Sequence, residues 1–170
     1  FKEHTSLVSD YHLMVEEPSR LFDSFSITEN NIFTIHQECS RNLHRDIISL
    51  REKGARVGVA LSPGTSLDTL EYIIEDLDVI LLMTVNPGYK GQPLVPQAIK
   101  KISNLKKIIN EMNLKTQISV DGNVNSNTIP EMVSSGADIL VLGSSGLFRN
   151  DISISDAVEK IKSSIDEGKK

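Results

Sequence analysis

The sequence of 170 residues predicts an α/β fold: a (β/α)8 TIM-type barrel, about six of whose strand–helix units lie in this chain. Three observations predict it. Apolar runs of strand length alternate with segments of helical period, the pattern of a parallel sheet with crossover helices. The connections stay short, with no Pro/Ser-rich linker or charge block, so residues 1–170 read as a single domain. Small residues follow three successive strands, at Pro87-Gly88, Asp121-Gly122 and Gly143-Ser144, which predicts one anion-binding rim. A barrel of eight units takes roughly 30 residues per unit, so six units read as a barrel that is N-terminally incomplete. An open doubly wound sheet is the alternative.

The first unit pairs a strand Tyr11–Val15 with a helix opening near Pro18-Ser19, and the second pairs Ile32–Ile35 with a helix near Arg41–Lys53. The third joins strand Val57–Leu61 to a helix Leu67–Glu75 through Pro63-Gly64-Thr65-Ser66, with Ser66 as N-cap and Leu67, Leu70 and Ile73/Ile74 as its buried stripe. In the fourth, strand Val79–Val85 precedes a helix whose Ala98, Ile102, Leu105, Ile109 and Met112 keep a three-to-four spacing. Strand Gln117–Val120 leads to a helix with Ile129, Met132 and Val133. Strand Ile139–Leu142 leads to a helix with Ile154, Val158, Ile161 and Ile165.

A net charge of −5 argues against a nucleic-acid surface, and no apolar run reaches the ~20 residues of a membrane span. An anionic ligand would therefore need a local trap of backbone N–H groups. Cys39 is the only cysteine, so no intrachain disulfide forms and a reducing, cytoplasmic setting fits. The opening at Phe1 leaves room for a natural start upstream.

The stretch Leu81–Gln92 runs from a buried-strand pattern through a turn bracketed by Gly88 and Gly91 toward a helix, which is how a phosphate cradle is built. The same residues suit an ordinary strand-to-helix turn. Asp121 at a strand end before Gly is a turn former or a catalyst. His12, taken alone, is a strand histidine or a metal ligand. His36 ends the second strand within reach of the mouth, with a structural role equally open, and Asp10 reads as a solvated strand start.

Together His12-Leu13-Met14-Val15, Pro63-Gly64-Thr65, the block Met83–Gln92, Val120-Asp121-Gly122 and Gly136-Ala137-Asp138 leading to Gly143-Ser144 resemble the ribulose-phosphate 3-epimerase family. The resemblance implies epimerisation of a ketose phosphate at carbon 3, D-ribulose 5-phosphate to D-xylulose 5-phosphate, by two opposed bases through an enediolate. It also implies a divalent metal, Zn, Fe, Mn or Co, held by two histidines and two aspartates and acting as a Lewis acid. His12 and Asp121 match two of those four ligands. Asp121 also matches one of the two acid/base groups, and the other His and Asp of the family fall before Phe1.

By the same resemblance the substrate and its phosphate meet His12, Gly88, Tyr89, Lys90, Gly91, Gly122, Asn123, Gly143 and Ser144, while Met14 and Met83 form an apolar wall. Lys90 and Asn123 depart from the pattern, since glycine is common at both. Thr84, Pro93, Asn123 and Ser145-Gly146-Leu147-Phe148 look similar to the members that act on D-allulose 6-phosphate. The partner is a small sugar phosphate, with no nucleic acid and no membrane, and the family leaves room for a homo-oligomer. A non-catalytic sugar-phosphate-binding remnant is the reading from a different class, if the polypeptide begins at Phe1.

Overall fold

The computed structural model describes residues 6–89 and 91–170. Six strands, β1 (Ser9–Leu13), β2 (Asn31–His36), β3 (Arg56–Leu61), β4 (Val79–Met83), β5 (Gln117–Asp121) and β6 (Ile139–Val141), form one sheet in sequence order. All five pairings are parallel. An unreversed order in which each strand lies beside the next is the arrangement of a β/α barrel, whereas a doubly wound sheet reverses direction at its switch point. The sheet is thus an arc of a (β/α)8 barrel, with β1 and β6 as its two ends.

Helices α1 (Leu43–Glu52), α2 (Pro96–Glu111), α3 (Ile129–Ser134) and α4 (Ile154–Gly168) cover the outer face. Alternation along the strands explains the packing: Phe33, Ile35, Val57, Val59, Leu61, Ile80, Leu82, Ile118 and Val120 join Ile47, Leu50, Ile102, Leu105 and Ile161 in the main core. The opposite strand face carries a smaller cluster of Ala60, Leu81 and Met83 beneath the site. Gly58 is required there, because a Cβ would stand 2.3 Å from Thr34 Oγ1. Among the described residues no helix is long and apolar enough to cross a membrane.

Several expectations need correction. The segment Leu67–Glu75 is not an α-helix but two short 3-10 turns, Leu67–Leu70 and Ile74–Asp76. Ser66 does cap it, its Oγ accepting from the Asp68 N–H at 3.2 Å, and Leu70, Ile73 and Ile74 are buried. Tyr72 is 87% exposed, so a helix continued through it would have gained no burial. The helix after β1 is likewise a 3-10 segment, Pro18–Ser24.

Met112 and Ile154 leave the buried stripes, because they sit at helix ends where the chain has turned toward solvent. Strand β1 is shifted two residues N-terminal to its expected span, which frees Met14 and Val15 for the loop above the sheet. Strand β4 ends at Met83 because the next residue, Thr84, turns its carbonyl to the Val95 N–H at 2.9 Å.

Candidate active site

The C-terminal ends of the strands open into a cleft of about 1030 Å³. Met14, His36, Met83, Asp121, Gly122 and Asn123 line it, together with Gly88, Tyr89, Gly91, Gly143 and Ser144. Catalytic groups of barrels gather at this end because the strand-to-helix loops converge there. Of the substrate-contacting residues expected among the described ones, all line this cleft except His12, which stands behind it. Lys90, expected beside them, lies outside the described residues.

Asp121 is placed by Thr84, the residue that follows β4. The Thr84 N–H donates to the Asp121 carbonyl at 2.8 Å, and the buried Thr84 hydroxyl donates to the carbonyls of Asp121, at 3.1 Å, and Gly122. Gly122 has φ +120°, and a Cβ there would lie 2.5 Å from Val85 Cγ2. No other residue type fits that turn without moving the end of β4.

Behind Asp121 stands His12, with Nδ1 3.4 Å from Asp121 Oδ2 and Nε2 2.9 Å from His36 Nε2. The two rings stack, tilted by only 14°. His36 Nδ1 in turn faces Glu38 Oε2 at 3.3 Å. Burial first, and repulsion from a proton on neighbouring His12 second, lower the His36 pKa against the opposing pull of Glu38 and Asp121, so this ring favours its neutral form near pH 7. Burial resists ionisation of Glu38, but hydrogen bonds from Thr65, the Ser62 N–H and His36 outweigh it and leave its pKa lowered.

Asp10 lies two residues before His12 on β1, on the same face of the sheet. Burial of its carboxyl raises its pKa, with His12 opposing and Asp121 adding to the rise. The solvated strand start expected for it holds in exposure, yet its carboxyl belongs to the electrostatics of the site.

His36, for which a structural part was equally open, reaches the mouth. The sequence pattern does not single out Glu38 or Lys101; the available signal for Glu38 was a carboxylate two residues beyond a strand-end histidine. Lys101 reaches in from α2 and donates to the Ser62 carbonyl at 2.8 Å, and burial lowers its pKa while Glu38 opposes the shift.

Asn123 takes φ 49° without strain that asparagine would refuse, and its Oδ1 accepts from Asn125 Nδ2 at 2.6 Å. The side chain is thereby tethered at the cleft wall. Met83 is buried and Met14 half exposed, both on the cleft. Tyr89 is 74% exposed on the outer lip.

The model of the ribulose-phosphate 3 epimerase family matches residues 1–148. The chain belongs to the ribulose-phosphate 3-epimerase family. It is 40% identical over 148 residues to the ribulose-phosphate 3-epimerase of Bacillus subtilis (strain 168), covering 86% of this chain and 68% of that protein. Against the Escherichia coli (strain K12) ribulose-phosphate 3-epimerase the identity is 38% over 135 residues, 79% of this chain and 60% of the other. Against the chloroplastic enzyme of Arabidopsis thaliana it is 36% over 162 residues, 94% and 57%. The chain thus spans between 57% and 68% of the length of these family members. A crystal structure of 3-hexulose-6-phosphate synthase from Salmonella typhimurium aligns over 95% of this chain and 100% of that chain at 12% identity, with a TM-score of 0.38, too low to add to the argument.

The donor set tests the family's metal. Two neutral imidazoles carry two N–H groups, but the chain Asp121–His12–His36–Glu38 has three links, and both ends are acceptors only. The link left without a hydrogen is completed either by one more proton on the ring pair or by a cation between His12 Nδ1 and Asp121. Their 3.4 Å separation suits two ligands sharing one ion at about 2.0–2.1 Å each. Among the described residues no group of three or more His, Cys, Asp or Glu side chains is placed to hold an ion, so the pair fits as part of a ligand set.

Proposed function

We propose that this chain carries part of the active site of a metal-dependent epimerase that converts D-ribulose 5-phosphate to D-xylulose 5-phosphate. The observation that carries the reading is the Asp121 carboxylate standing 3.4 Å from His12 on a cleft rimmed by Gly88, Gly122, Gly143 and Ser144. Inverting a carbon beside a ketone requires a base on one face to take its proton and an acid on the other to return one. Asp121 is the group that holds or releases a proton on its face.

Among the described residues Asp121 is the sole carboxylate lining the cleft, so the opposed base is proposed to come from elsewhere in the natural protein. A divalent ion held in part by His12 and Asp121 would supply Lewis-acid polarisation of the ketone. Met14 and Met83 keep the reacting face apolar, and small residues at the rim let backbone approach the phosphate. A hexulose phosphate is the second reading, favoured by the Asn123 amide on the cleft wall in place of glycine.

The test is proton exchange in heavy water, using the protein as its organism makes it. Deuterium should enter D-ribulose 5-phosphate at carbon 3 as xylulose 5-phosphate forms, and a chelator should stop both. Turnover that persists without metal, or exchange at another carbon, would remove the reading.

A further inference from the structure

Glu38 lies in the short 3-10 turn Gln37–Cys39 that follows β2, and each of its oxygens is engaged. Oε1 accepts from the Ser62 N–H at 2.8 Å and from the Thr65 hydroxyl, which fixes the carboxylate against the loop after β3. Oε2 faces His36 Nδ1 at 3.3 Å. A carboxylate only accepts, so the hydrogen in that last contact belongs to His36 Nδ1. The neutral His36 ring then has a lone pair on Nε2, and the 2.9 Å contact to His12 is made by an N–H on His12 Nε2. When His12 binds a cation through Nδ1, its one hydrogen sits on Nε2 and the Nδ1 lone pair faces the position beside Asp121.

The competing end of the chain is Asp121, which would impose the opposite direction by demanding a hydrogen on His12 Nδ1. Glu38 wins by its anchoring. Its hydrogen bonds from Ser62 and Thr65 hold it in place, and Lys101 braces the same loop through the Ser62 carbonyl at 2.8 Å. Asp121 lies on the open cleft, where a cation can meet it. The contact at which a cation can take the place of a hydrogen is therefore the longest of the three, 3.4 Å between His12 and Asp121.

We propose that Glu38 is a positioning residue that sets the tautomer of His12 through His36, keeping the His12 Nδ1 lone pair directed at the cation position beside Asp121. It rests on the reading of His12 and Asp121 as ligands only for its consequence; the tautomer itself stands on the hydrogen-bond chain. Outer partners that fix a histidine tautomer commonly change metal affinity by about 10–100-fold when removed.

The experiment is side-chain nitrogen NMR of the metal-free, histidine-labelled protein in the form its organism makes, with a Co(II) titration alongside. The native protein should show hydrogen on His36 Nδ1 and on His12 Nε2. Glu38→Gln is nearly isosteric, and its amide can donate to His36 Nδ1. That reverses the chain and moves the His12 hydrogen to Nδ1, with Co(II) bound about 10–100-fold more weakly. Thr65→Val removes one anchor and keeps the carboxylate, so it should leave both tautomers native.

Hydrogen on His12 Nδ1 in the native protein, or tautomers unchanged in Glu38→Gln, would overturn the proposal even if Co(II) affinity fell. If the tautomers reverse as expected but His12→Ala leaves Co(II) affinity unchanged, the metal reading fails and the positioning role survives.

Discussion

Asp121 and His12 belong to strands four pairings apart, yet their side chains stand 3.4 Å from each other. Following the ladder from His12 leads through Thr34, Gly58 and Val79 to Gln117, four residues short of Asp121. The tilt of barrel strands accounts for the difference. A shear of eight over eight strands displaces the register by about one residue per strand, so four strands displace it by about four. His12, Ala60 and Asp121 thus come from alternate strands at one height. The layer above brings His36, Met83 and Gly143 to the cleft.

The proposed role of Asp121 predicts that Asp121→Asn keeps the fold and loses turnover. An amide cannot take the proton, and removal of one acid/base group commonly lowers the rate by about 10²–10⁴-fold. Steady-state kinetics on ribulose 5-phosphate would show the loss in kcat. A variant with native kcat would assign the proton transfer to another group.

Gly122→Ala should destabilise the protein. The position has φ +120°, and the added methyl would meet Val85 Cγ2 at 2.5 Å and the Val85 nitrogen at 2.9 Å. Backbone strain of this kind costs about 1–3 kcal/mol, and relief by moving β4 would also disturb the Thr84 contacts that place Asp121. A lowered urea midpoint is expected. An unchanged midpoint would mean that Val85 yields freely.

Asn123→Gly should change substrate preference with little effect on stability. Glycine accepts φ 49°, and the Asn125 amide still reaches the residue 123 carbonyl, 3.0 Å away in the native chain. The variant removes an amide tethered at the cleft wall, so the ratio of kcat/KM for pentulose and hexulose phosphates should move. A constant ratio would make Asn123 a turn residue.

The arc of six units was legible in the sequence because short, largely apolar stretches such as Val79–Met83 and Ile139–Val141 recur between segments of helical period. The rim was legible because Gly88, Gly122 and Gly143 each stand in the turn that leaves a strand, within five residues of its end. What escaped is what depends on long-range geometry. The 3-10 turns at Leu67–Leu70 and Ile74–Asp76 keep the apolar residues of a helix, so their pattern does not reveal that Tyr72 stays in solvent. Glu38 carries no local signal of its partners Ser62 and Thr65, which are 24 and 27 residues away.

The buried His36 predicts a specific loss of stability in acid. Burial first, and repulsion from a proton on neighbouring His12 second, lower its pKa in the folded state, while Glu38 and Asp121 offset part of the shift. Its folded pKa lies below the unfolded value near 6.5, so the unfolded chain binds the additional proton as pH falls through that range. Stability contributed by neutral His36 is therefore full above about pH 6.5 and declines below it. Glu38, with its pKa lowered, loses its contribution only in the more acidic carboxylate range, so the two effects separate. Urea unfolding with chelator present at pH 7.5 and about 5.5 should show a larger drop for the native protein than for His36→Gln. Equal drops would place the titrating group elsewhere.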